Sequence, residues 1–378
     1  MTPDDFNTVF NLPFNEASAF FRNKLNIPTK QWDDLWKGEH AKGFMSAGAM
    51  KAELLTDLSA EVDKAIAGGL TKKEFLEQFD SIVAKHGWSY NGGRRWRSNL
   101  IYDTNVTTAY QAGRWKQFQE GGAQFLMYIH ADGVRHPRPQ HVAWHGVTLP
   151  ISHEFWSTHY PPNGWRCHCR AVRAGAAEVT APPAGYRNID PKTGAMVGID
   201  KGWDYNVGAA GAEPGYSVLT KKFETLPPEI AKQWMAQFVK EPAFARFISG
   251  EIKGNFPVAV LDEAARKAIG AESQTAWLSD DSLSKNKGLQ PERSNGHPEL
   301  TVEEYRLLPK VIGDPLLVVE KEGYKEVFAG EGRGFYLAVV KTTKGKDELF
   351  VQSYRRASIS DLQRERKTGN VIFDKMKK

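Results

Sequence analysis

PPNGWRCHCR, residues 161–170, contains both cysteines of the 378-residue chain, with His168 between them. A disulfide between neighbours so close would close a very small, strained ring. Thiolate and imidazole are good zinc ligands, and upstream the stretch HVAWH places His141 and His145 four apart, on one face if it is helical. A zinc ion on His141, His145, Cys167 and Cys169 would staple a loop-rich segment that has little core of its own. The spacing is not that of a standard finger, and HVAWH lacks the glutamate of an HExxH zinc protease, which counts against a zinc-dependent hydrolase. Equally open is a packing knot of buried thiols, Trp144, Trp165 and prolines, with arginines bonded to carbonyls and to Asp132. Arg166, His168 and Arg170 would lower a neighbouring thiol's pKa, but neither an oriented base nor a pocket for a nucleophilic cysteine is specified.

Composition bounds the rest. With 41% hydrophobic and 25% charged residues the profile is that of a globular protein, and the length calls for two or three domains. No stretch approaches the roughly 18 apolar residues of a membrane span, so no membrane partner is expected. MTPDDFNTVF has no basic region followed by an apolar run, so no signal peptide is expected and synthesis falls in a reducing cytoplasm. The net charge of +5 is uneven: residues 341–378 hold seven lysines and four arginines against five acidic residues. Such an end suits a polyanion such as nucleic acid, or is simply solvated.

Residues 13–90 read as helical. Leu54, Leu55, Leu58, Val62 and Ile66 fall at three- and four-residue spacing; Gly68 and Gly69 end that helix, Thr71 with Glu74 caps the next, and Gly87 closes it. A third helix covers 95–119, with Leu100, Ile101, Thr104, Ala112 and Phe118 on its inner side. FLMYIHADG (125–133) reads as a strand entering a loop, and residues 171–225, rich in Ala, Gly and Pro, read as linker. One helix is expected over 228–249. A second unit then opens at FPVAVLDEAARKAIG, with a capped helix at Thr301 and Glu304 and strands LLVVE, YKEVFAG, FYLAVVKTT and ELFVQSYRRA. The fold class is α+β: a mainly helical N-terminal domain with an irregular Cys/His segment, and a small α+β C-terminal domain with an antiparallel sheet.

The run from Ala109 to Cys169 resembles the head-morphogenesis domain of the phage Mu gpF-like (SPP1 gp7-like) minor head proteins. TAYQAGR (108–114), Asp132 and Arg135 in D-x-x-R, His141 with Gly146, Phe155–Trp156 and PPNGWRCHC carry the likeness; His168 stands where the family usually has arginine. LPFNEASAFFRNKL, the KKEFLEQFDSIVAKHGW run and GWDYNVG (202–208) extend it to about residues 10–210. The resemblance implies a helical leader (1–90), the head-morphogenesis domain (91–210) and a linker with a helix (211–254). It implies a minor virion protein that associates with the portal and other head proteins and assists head assembly, DNA packaging or ejection, without enzymatic activity in this part.

Residues 255–378 are similar to barnase-EndoU-colicin-RelE-like nuclease domains, chiefly through HPELTVEEYRLLP (297–309) and FVQSYRRA. That resemblance implies metal-independent cleavage of RNA by its own 2′-hydroxyl, which needs an acid/base group and cations for the phosphorane. The candidates are His297 as acid/base, Lys341 and Arg355 on phosphate, and the hydroxyls of Ser353 and Tyr354, with Arg333 and Arg356 as further nucleic-acid contacts. A delivered effector nuclease, packaged through its N-terminal half and covered by an immunity protein, is the alternative whole-chain reading; a module that only binds nucleic acid is the bland one.

Overall fold

The structure, a computed structural model, describes residues 14–68, 70–131, 133–134, 136–211, 222–287, 300–331, 334–345 and 347–377. The chain divides into two compact units, Met1–Val218 and Leu219–Lys378.

In the first unit α1 (Asn15–Arg22) precedes a short parallel pair, β1 (Leu25–Asn26) and β2 (Gly43–Phe44), with α2 (Glu39–Lys42) between them. The apolar spacing at Leu54–Ile66 forms α3 (Ala52–Ile66), and all five of those side chains are buried. Thr71 and Glu74 make the reciprocal capping box of α4 (Lys72–His86), and Gly87 closes it in the left-handed conformation, φ 58°. The long α5 (Arg94–Glu120) buries Ile101 and Ala112, but Leu100, Thr104 and Phe118 lie only partly inside. Its inner face is instead partly polar. Arg97, Asn105, Thr108 and Gln111 are buried, and three of them are bonded to nearby carbonyls: Arg97 to Asn91 O, Asn105 to Ile101 O and Thr108 to Thr104 O. Hydrophobic periodicity cannot see a face that is satisfied in this way.

Three short antiparallel strands follow, β3 (Phe125–Ile129), β4 (Thr148–Pro150) and β5 (Arg170–Ala174), in the order β4-β3-β5. Between them lie two five-residue helices, α6 (Pro139–Ala143) and α7 (Phe155–His159). Leu126, Tyr128 and Ala171 face one core with Trp115, Trp144, Phe155, Trp156, Tyr160 and both cysteines. The stretch after β5, expected to be a linker, is largely irregular yet packed: Ile199, Trp203 and Val207, the first residue of α8 (Val207–Ala210), are buried in that same core.

In the second unit the helix expected over 228–249 is two, α9 (Pro228–Phe238) and α10 (Pro242–Ile248). Pro242 has no N–H to give the preceding turn, so it begins a new helix. The sheet has seven strands, three more than the sequence suggested. Their order is β12 (Asn370–Asp374), β8 (Leu317–Lys321), β9 (Tyr324–Glu331), β10 (Gly334–Thr342), β11 (Leu349–Ala357), β7 (Thr275–Ser279) and β6 (Asn255–Val260). Every pairing is antiparallel except β11 with β7. Further helices of the unit are α11 (Glu263–Ile269), α12 (Asp280–Asn286), α13 (Val302–Tyr305), α14 (Leu308–Gly313) and α15 (Ile359–Thr368). Leu317, Val319, Phe328 and Leu337 pack with Leu362 of α15, while α14 packs against β6, β9 and β10.

Candidate metal centre

Cys167 and Cys169 lie just before β5, both buried on either side of an exposed His168. Both thiols are free and buried. That excludes the disulfide here and places each sulfur out of reach of a substrate. Opposite them, α6 presents His141, itself buried. Its Nε2 lies 2.8 Å from the carbonyl of Gly198; a carbonyl can only accept, so Nε2 carries the proton and the Nδ1 lone pair faces the sulfurs. Nδ1 stands 3.7 Å from Cys167 Sγ and 3.5 Å from Cys169 Sγ.

These spacings have a meaning. Zinc–sulfur bonds of about 2.3 Å and zinc–nitrogen bonds of about 2.0–2.1 Å, set at the tetrahedral angle, put nitrogen and sulfur about 3.5–3.6 Å apart. The three donor atoms lie within 4.8 Å of one another, and the group could hold a metal ion. The hydrogen bond from Cys167 holds the Cys169 thiol well below its usual value, while that same bond and burial push Cys167 up. Burial beside both sulfurs raises the Tyr128 phenol, which donates to Asn163 Oδ1 at 3.0 Å.

The motif residues around the thiols brace this group. Arg138 donates to Trp165 O at 3.0 Å and to Asp200 Oδ2 at 2.7 Å, and the same carboxylate oxygen accepts from Trp165 N at 2.8 Å. A Cβ on Gly164 would run into that carboxylate, which is why the turn needs glycine. Gln111 of TAYQAGR reaches the carbonyl of Cys169 at 3.5 Å, and Tyr160 donates to Gln111 O at 2.8 Å. The packing-knot reading and the metal reading therefore coexist in one arrangement.

His145 does not join. The helix stops at Ala143, so four-residue spacing no longer keeps it on the face of His141; it is exposed, and its Nδ1 accepts from His130 N at 3.2 Å. Asp132 and Arg135 lie outside the described residues. His130, which the sequence reading passed over, stands with Nδ1 3.6 Å from Cys169 Sγ. The available signal was its place at the end of FLMYIH, in phase with the inward Leu126 and Tyr128.

The nuclease candidates of the second unit do not form one cluster. His297 and Arg333 lie outside the described residues. Tyr354 is buried, its hydroxyl donating to Glu304 O at 3.0 Å, and Arg356 grips the Glu304 carboxylate through Nε at 2.6 Å and Nη2 at 2.9 Å. Ser353 and Arg355 alternate to the opposite face: Ser353 Oγ lies 3.3 Å from Asn286 Oδ1, and Arg355 lies 3.9 Å from Asp361. Lys341 is exposed and shares the Arg355 face, but four strand residues, about 13 Å, separate it from Leu337, the partner of Arg355. Much of the basic tail is spent on ion pairs, including Arg366–Asp374 and Lys375–Asp314.

A helical scaffold closed by a buried Cys/His knot defines the class of the first unit. Residues 56–172 match the family model described as Phage Mu protein F like protein, and the chain carries a Phage Mu F-like domain there. Protein F of Escherichia phage Mu, named for capsid assembly, is 28% identical over 265 aligned residues. That match takes in 59% of this chain and about 60% of the Mu protein's length. The Mu-like prophage FluMu F protein of Haemophilus influenzae is 25% identical over 423 aligned residues, 93% of this chain and 100% of its own. No solved structure matches the chain. Among the described residues no helix is long and apolar enough to cross a membrane.

Proposed function

We propose that the chain is a minor head protein of a tailed phage or prophage, made in the host cytoplasm and carried in the virion, in the head interior or at the portal vertex. The observation that carries this reading is a coincidence of boundaries. The family match over 56–172 runs from α3 into β5 and takes in His141, Cys167 and Cys169, with Gln111, Arg138, Tyr160, Gly164 and Trp165 among the residues that brace them. The matched stretch thus contains a buried fold-fastening group, which suits an assembly component. Its partners are the portal protein and other head proteins. The His/Cys/Cys group holds structural zinc, which orders a segment whose own elements are five residues or shorter.

The second unit meets nucleic acid through the Lys341 and Arg355 face. Its ribonuclease form, with an immunity protein as partner, requires His297 and Arg333 to join that face. The test of the main reading is to delete the gene in the phage or prophage that encodes it and count particles. A few copies per virion in the parent, with loss of DNA-filled heads on deletion, support a minor head protein. Hundreds of copies per head, or normal heads without it, overturn that reading. RNA cleavage by the purified chain that His297→Ala abolishes supports the nuclease form; intact RNA overturns it.

A further inference from the structure

We propose that His130, rather than His145, is the fourth ligand of a closed Cys2His2 zinc site built with His141, Cys167 and Cys169. The proposal rests on the metal reading above, and three independent observations single out His130.

The first is register. β3 and β5 pair antiparallel, and their last partners are Ile129 and Arg170. One step further along both chains sets His130 opposite Cys169, and directly opposed side chains on one face stand about 4.5–5.5 Å apart at Cβ. Strand alternation puts His130 on the same side as Leu126 and Tyr128, the side of the buried sulfurs. The second is distance. His130 Nδ1 is 3.6 Å from Cys169 Sγ, the nitrogen–sulfur edge of a tetrahedral zinc site and the same spacing that His141 makes to the two sulfurs. His130 meets the group through that single edge and is half-buried at the rim, so ligation requires its ring to turn toward the remaining donors.

The third is the behaviour of the competitors. His145 spends its Nδ1 accepting the backbone N–H of His130, which makes it a positioning residue for the ligand loop instead of a ligand. The Tyr128 hydroxyl is committed to Asn163. His168 points to solvent between the two cysteines. With four protein donors the ion has no open position for water, which is the mark of a structural site.

The experiment uses the full chain. Metal content of the purified protein is measured first; the protein is then stripped, and cobalt(II) is titrated in while its ligand-field and sulfur-to-cobalt absorption are followed. The expected result is one zinc per chain, and with cobalt an intense four-coordinate spectrum showing two thiolates. His130→Ala should lose at least about tenfold in cobalt affinity, since even outer-shell partners are worth about 10–100-fold. Its spectrum should weaken toward one with a water ligand, and His130→Cys should restore a four-coordinate spectrum with a third thiolate band. His145→Ala, which removes only the acceptor of the His130 N–H, should bind cobalt less tightly but keep the four-coordinate, two-thiolate spectrum. A parent chain that takes up neither zinc nor cobalt overturns the metal reading itself. Uptake by the parent with affinity and spectrum unchanged in His130→Ala overturns His130 alone, as does loss of the site in His145→Ala but not in His130→Ala.

Discussion

Asn163 shows how much a single side chain can be asked to hold. It is fully buried, its Oδ1 accepts the Tyr128 hydroxyl at 3.0 Å, and its carbonyl accepts Asp200 N at 3.0 Å. Asn163→Ala strands the Tyr128 hydroxyl in a dry core, and an unsatisfied buried donor costs about 1–3 kcal/mol. Chemical denaturation should show a loss of that size, and adding Tyr128→Phe should recover part of it. A second residue-scale prediction concerns Glu304. The Arg356 guanidinium, with Thr301, holds its carboxyl down to about 2, against an ordinary value near 4.5. A depressed carboxyl stabilises the fold above its unfolded pKa, and that contribution is lost as pH falls through the folded value. Arg356 is half exposed, so solvent reduces the contribution to about 1 kcal/mol. Glu304→Gln should therefore melt below the parent at pH 7, and the gap should close between about pH 4.5 and pH 2; a gap independent of pH would assign the loss to packing.

At the scale of elements, legibility followed local physics. The capping boxes at Thr71 and Thr301 and the αL glycine at Gly87 were readable because each is decided within four residues, and the structure has all three. β6, β7 and β12 were missed because short strands gain their identity from neighbours far along the chain, such as Val260 with Thr275 or Asn370 with Glu320. The metal group was half legible. Two sulfurs and His141 could be named from residue type, but His130 becomes a neighbour of Cys169 only through the β3–β5 register, and His145 is lost because the helix ends at Ala143. Gly113, inside TAYQAGR, makes an element-scale prediction. A Cβ there would lie 2.8 Å from Ala17 N and 3.2 Å from Ala17 Cα, so α1 and α5 meet backbone to backbone. Gly113→Ala must push α1 away, at about 1–3 kcal/mol. Gly93, where a Cβ meets nothing within 4 Å, is the control, and equal thermal shifts for the two variants would sink the argument.

For the whole molecule the question is which unit would depend on the proposed metal. The His/Cys/Cys group lies wholly in Met1–Val218, and Leu219–Lys378 has a sheet and a core of its own. A ligand that binds only the native state stabilises it by about 4 kcal/mol when present at a thousandfold its dissociation constant. In a unit of this size each kcal/mol moves the midpoint by about 2–4 °C. A chelator should thus lower the melting of the first unit by roughly 10 °C and leave that of the second where it was. The sequence supplies the probe that separates them, because nine of the eleven tryptophans fall before residue 219. Tryptophan emission therefore reports chiefly on the first unit, while calorimetry reports on both. With the chelator added, the emission midpoint should fall together with one calorimetric transition, and the other transition should stay fixed. If both transitions fall together, the metal does not act through the first unit alone; if neither moves, the knot is held by its hydrogen bonds and aromatic packing without an ion.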